Sequence, residues 1–84
     1  MTIRVVVFGI LKDLLALPGG SESVEVSAGA EAGDVLVRMR ERAAAAQKQV
    51  FDSVAIAVNG EFASPKRRLS ANDEVALLPP VSGG

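Results

Sequence analysis

Apolar positions fall into several short alternating runs and one longer stretch of helical spacing. Thr2–Phe8 places Ile3, Val5 and Val7 on one side and Arg4, Val6 and Phe8 on the other. It is rich in β-branched residues, which predicts a strand ended by Gly9. From Ile10 to Leu17 the apolar residues fit one or two helical turns, stopped by Pro18-Gly19-Gly20. Ser21–Ser27 is short and polar with Val24 and Val26 on one face, as expected of an edge strand. Over Glu31–Gln49, Val35, Leu36, Met39, Ala43 and Ala46 recur at 3.6-residue spacing and predict the main helix, with Asp34 and Arg38 as an i,i+4 surface pair. Val54–Val58 reads as a strand, Asn59-Gly60 as a tight turn and Glu61–Ala63 as the returning strand. Ser70–Asp73 reads as a turn, and Glu74–Leu78 as the last strand.

The order of elements predicts an α+β domain, with a mixed sheet and one main helix across one face. The first and last strands are the most apolar and are expected to pair at the centre. The β-grasp, or ubiquitin-like, fold has this order. Residues 1–78 form one domain on this reading, and 79–84 an extended C-terminal tail.

Composition narrows the chemistry. The 84 residues carry a net charge of -1 and include no Cys, His, Trp or Tyr. A thiol nucleophile, a disulfide, an iron–sulfur cluster, a Cys/His zinc site and an imidazole base are therefore excluded. No D-x-D-x-D-G spacing is present, so no metal or bound cofactor is expected, nor catalysis by this chain alone. The basic run Lys66-Arg67-Arg68 has no interleaved aromatics, which argues for a solvated loop or a protein contact rather than nucleic acid. No run approaches the roughly 18 apolar residues of a membrane span. Lys12-Asp13 interrupts a signal-like start, and a cytoplasmic location is expected.

One helix covers only one face of a sheet. With Val5, Val7, Val75 and Leu77 turned inward, Val6, Phe8, Ala76 and Leu78 are left outward as a contiguous apolar patch. Such a patch fits a partner-binding face, unless the short helix at 10–17 folds over it.

Beyond Leu78 the chain reads Pro79-Pro80-Val81-Ser82-Gly83-Gly84. Two prolines end the strand and stiffen the segment beyond it. Six residues reach roughly 20 Å, and two glycines thread a channel too narrow for a side chain. A terminal carboxylate is a poor electrophile until ATP adenylates it on a partner enzyme. The acyl group can then be captured by an amine, a thiol or a sulfur donor, the last giving a thiocarboxylate, which makes Gly84 the expected reactive residue.

Asp73-Glu74-Val75-Ala76-Leu77-Leu78-Pro79-Pro80-Val81-Ser82-Gly83-Gly84 resembles the closing stretch of the small subunit of molybdopterin synthase, the MoaD family. Val58-Asn59-Gly60 and the Ile3–Phe8 strand followed by Lys12-Asp13-Leu14 also match that family's layout. The two positions before Pro79, often aromatic in that family, are Leu77 and Leu78 here.

The resemblance implies a β-grasp sulfur carrier in molybdenum cofactor biosynthesis. An E1-like adenylyltransferase would activate Gly84 with ATP, and a thiocarboxylate would follow. The tail, Pro79, Pro80, Val81, Ser82 and Gly83, would thread a large subunit that holds the catalytic lysines and passes sulfur to cyclic pyranopterin monophosphate. The assembly implied is a heterotetramer of two small and two large subunits. Two alternatives remain open: a carrier for thiamine or another sulfurated product, and a ubiquitin-like modifier conjugated to lysines through Gly84.

Overall fold

The chain has the β-grasp arrangement, in a computed structural model that describes residues 1–80. Its elements are β1 (Thr2–Val7), α1 (Ile10–Leu14), β2 (Ser21–Glu25), α2 (Ala32–Arg42), a 3-10 segment (Ala45–Ser53), β3 (Ala55–Val58), β4 (Glu61–Phe62) and β5 (Glu74–Leu78). The five strands lie in the order β2-β1-β5-β3-β4. β1 and β5 pair in parallel at the centre, with Val5 opposite Val75 and Val7 opposite Leu77. The other pairings are antiparallel, and β2 lies at one edge as its polar sequence predicts.

Alternation along the strands builds the core. Ile3, Val5, Val7, Val75, Leu77, Ile56 and Val58 are buried on one face, against Val35 and Met39 of α2. Leu11 and Leu15, in and just after α1, enter this same core. Fully burying one such side chain is worth about 1.5–3 kcal/mol.

The expected helix over 31–49 divides in two. α2 stops at Arg42, Ala43 and Ala44 are extended, and the chain continues as the 3-10 segment. Alanines supply helix propensity, a preference that packing readily overrides. Running on to Gln49 would carry the helix about 10 Å further along its axis. The break instead returns the chain so that Phe51 is buried in the core, while Ala46, expected on the buried face, is exposed.

The Asp34–Arg38 pair does not form. Asp34 Oδ2 accepts the Glu31 backbone N–H at 2.8 Å, half of a capping box. Arg38 donates to the Glu25 carbonyl of β2. Ala32 and Gly33 donate backbone N–H groups to the Arg67 and Pro65 carbonyls at 2.8 and 2.7 Å. The start of α2 is thus satisfied by a distant loop near the other end of the chain. A methyl group on Gly33 would lie 3.0 Å from both Cβ and O of Pro65, so a larger residue would require the loop to give way by a few tenths of an ångström. Lys66, Arg67 and Arg68 are exposed around these contacts.

At the β3–β4 hairpin, Asn59 and Gly60 both have positive φ, 51° and 85°, as a two-residue type I′ turn requires. The Asn59 side chain donates to Asp73 Oδ1 and accepts from the Glu74 N–H, each at 2.9 Å. Asp73 Oδ2 accepts from the Ser70 N–H at 2.8 Å. The Ser70 N–H, then the Asn59 amide, hold the Asp73 carboxyl below its ordinary value. Asp73 is therefore a turn residue that fixes the start of β5.

Two outcomes are expected. Phe51→Ala should cost about 3–5 kcal/mol of unfolding free energy in urea titration, the range for a buried aromatic. For Asp73, a lowered folded pKa means a contribution that is complete above the ordinary value of 3.8 and lost as pH falls through the folded value. Urea midpoints of Asp73→Asn should therefore lie slightly below wild type at about pH 7, the effect being small for an exposed carboxylate, and the difference should shrink as pH falls below the ordinary Asp value.

Candidate functional site: the open sheet face and the tail root

Residues in register share a face, so the strand pairing locates every outward side chain. Val6 opposes Ala76, Ala76 opposes Ala57, and Ala57 opposes Phe62. These four form one row across β1, β5, β3 and β4. Leu78 opposes Ala55 in the next row, and Phe8 follows Val7 at the end of β1. The register thus brings Val6, Ala76 and Leu78 to the face opposite α2, while Phe8 is exposed one residue past the end of β1. Phe8 is 43% exposed, and Val6, Ala76 and Leu78 are half-buried. The short helix does not claim this face with its buried residues, since Leu11 and Leu15 are used in the core on the other side.

Three members of the face carry no mark in the sequence: Ala55, Ala57 and Phe62. Phe62 is 80% exposed, the most exposed large apolar side chain among the described residues. Its strand, β4, has only two residues and offers no alternation to read. Only pairing with Ala57 places Phe62 in the row. In this row the buried Ala57 and half-buried Ala76 carry single methyl groups between Phe62 and Val6.

Polarity changes along the strands. Arg4 of β1 and Glu74 of β5 are opposed at the other end of this face, and Arg4 donates to Ser21 Oγ at 3.0 Å. The apolar half is the one from which the tail departs. Pro79 is half-buried and Pro80 exposed, with Gly9 beside Pro79. Val81, Ser82, Gly83 and Gly84 lie outside the described residues.

The site thus combines a parallel central pair, an open apolar face and a central strand that leaves the sheet beside that face. A family model matches residues 5–84 and is described as the ThiS family. The chain belongs to the ThiS family. Its fold is that of the ubiquitin-like sulfur carriers and modifiers.

SAMP1 from Haloferax volcanii is 28% identical, with each chain covered in full and a TM-score of 0.81. A molybdopterin converting factor subunit 1 from Pyrococcus furiosus, described as putative, is 25% identical over 96% of this chain and 99% of its own, with a TM-score of 0.77. The complex of subunits 1 and 2 of the molybdopterin-converting factor from Helicobacter pylori contains a chain 24% identical, both chains covered in full, at a TM-score of 0.68. That last likeness is one of fold. Among the described residues no helix is long and apolar enough to cross a membrane.

Phe62 is exposed and lies outside the buried cluster, so changing it should leave the core intact. Phe62→Ser is expected to shift unfolding free energy by less than about 0.5 kcal/mol, as for substitutions away from packed sites. Urea titration checks this, and a loss of several times that amount would show that Phe62 is needed by the fold.

Proposed function

We propose that this ThiS-family chain is the sulfur-carrying subunit of a molybdopterin synthase, with Gly84 as the residue that carries sulfur. The reading is carried by the juxtaposition of β5 with its Pro-Pro continuation. Asp73–Pro80 runs from a hydrogen-bonded turn through the central strand and leaves it beside an uncovered apolar face, and the sequence closes on Gly83-Gly84. The Pyrococcus furiosus relative supports the same assignment.

The chemistry belongs to the chain end. The Gly84 carboxylate attacks the α-phosphorus of ATP on an E1-like adenylyltransferase and releases pyrophosphate. Sulfur at the sulfide level displaces AMP, leaving a thiocarboxylate. Its sulfur passes to cyclic pyranopterin monophosphate within the large subunit, and hydrolysis returns the carboxylate. The folded body contributes an address: Val6, Phe8, Ala76 and Leu78, extended by Phe62, dock the partner while Pro79 to Gly83 enter it. The partner's own catalytic groups act on the delivered end. Burial of several exposed apolar side chains, at about 1.5–3 kcal/mol each, favours such an association. The assembly proposed is a heterotetramer of two small and two large subunits; the complex of subunits 1 and 2 of the Helicobacter pylori factor supports a large-subunit partner.

A second reading has its own support. The 28% identity to SAMP1, a small archaeal modifier protein, extends over both whole chains. On that reading Gly84 ends in an isopeptide bond to lysine. The Pro-Pro-Val-Ser approach to the glycines disfavours a thiamine carrier.

Co-expression with the activating enzyme separates the readings by intact mass. A carrier gains about 16 Da as one oxygen is replaced by sulfur in the covalent intermediate, whereas a modifier is recovered linked to lysines of other proteins. Deleting Gly84 should abolish the gain without altering the fold. Phe8→Glu should weaken large-subunit binding in calorimetry while urea stability is retained. Unchanged affinity would remove the docking role of this face.

A further inference from the structure

Gly9 and Pro79 meet where the two central strands part. Val7 and Leu77 are the last pair of the parallel ladder, and Gly9 and Pro79 each lie two residues beyond it. At Gly9 the backbone takes φ 56° and ψ -134°, a combination that L side chains rarely adopt. The chain folds back at once: Leu11 and Lys12 donate N–H groups to the Phe8 and Gly9 carbonyls, each at 3.1 Å. β1 thus clears the path at the point where β5 continues outward. A methyl group on Gly9 would lie 3.3 Å from Cγ of Pro79, closer than ordinary carbon–carbon contact. The half-buried proline ring therefore sits over a bare α-carbon. The ring of Pro79 fixes its φ, and Pro80 holds Pro79 in extended conformation.

We propose that Gly9 is a positioning residue for sulfur transfer, giving the Pro79 ring a seat that sets the direction in which the chain leaves the sheet. The inference rests on the reading of Gly84 as the reacting end. Over a full extension of roughly 20 Å, a turn of about 10° at Pro79 displaces the end by about 3 Å. Displacements of this size are enough to lower a reaction rate by orders of magnitude. Gly9 acts through Pro79 and touches no reacting atom.

The test is a double-mutant cycle of Gly9→Ala, Pro79→Ala and the pair. The added methyl strains the backbone in both backgrounds but crowds the ring only where Pro79 is present. Gly9→Ala is therefore expected to cost more stability in the wild-type background than in the Pro79→Ala background. Strictly additive costs would show that Pro79 does not rest on Gly9, and would overturn the proposal. In single-turnover transfer from thiocarboxylated chain to the large subunit, at a temperature where circular dichroism shows every variant folded, Gly9→Ala should lower the rate about tenfold or more. Affinity for the large subunit should stay at the wild-type value. A folded variant transferring within about twofold of wild type would overturn the positioning role. Should Gly9→Ala not fold, Pro79→Ala, which removes the ring without straining Gly9, decides by the same split between rate and affinity. A wild-type chain that never gains sulfur would defeat the carrier reading, and the stability cycle would still decide the contact.

Discussion

The parallel pairing of β1 with β5 is the constraint on which the rest of this molecule depends. Parallel neighbours end at the same edge of a sheet, so Val7 and Leu77 finish side by side. The return of β1 into α1 must then occur beside the departure of the chain from β5. The same register puts Val5, Val7, Val75 and Leu77 into the core and leaves Val6 and Ala76 on the open face. A slip of one residue would exchange the two sets and bury what is now exposed. Core, open face and tail root are thus three consequences of one ladder.

A central parallel pair needs a long connection, and here most of the chain is that connection. It is held by contacts between segments distant in sequence. Carbonyls of Pro65 and Arg67 satisfy the first N–H groups of α2, while Arg38 and Arg42 reach from α2 to Glu25 and Glu22 of β2. Exposed ion pairs such as Arg42–Glu22 are individually worth under about 1 kcal/mol. Their value lies in fixing how the helix sits over the strands. Asn59 and Asp73 tie the hairpin turn to the beginning of β5, so a polar cluster at the far end holds the central strand in register.

The open face explains a division of labour. A sheet covered on both sides would be more deeply buried but would have no surface left for a partner. Ala57 and Ala76 lie at the middle of the face's row, between Phe62 and Val6. Apolar surface near the tail root and charge at the other end, Arg4 and Glu74, make the face directional. On the proposed carrier reading, a partner that recognises this direction would receive the chain end in one orientation.

How much of this is legible in the sequence depends on how local the cause is. Alternation in Thr2–Val7 and Glu74–Leu78 specifies two strands, their buried sides and the outward positions of Val6, Ala76 and Leu78, because strand periodicity is carried by the residues themselves. Asn59-Gly60 specifies its turn, since few dipeptides tolerate two positive φ values. The closing Pro-Pro-Val-Ser-Gly-Gly specifies the chemistry expected of the chain end. Other features have non-local causes. The alanines at 43–46 favour helix, yet the burial of Phe51 breaks it. Asp34 caps a helix rather than pairing with Arg38, whose guanidinium finds a β2 carbonyl. Phe62 joins the face through pairing with a strand that only folding brings beside it. Periodicity and turn chemistry act over a few residues and can be read in order. Capping by a distant loop, strand register and the seat of Pro79 on Gly9 exist only once the chain has closed on itself.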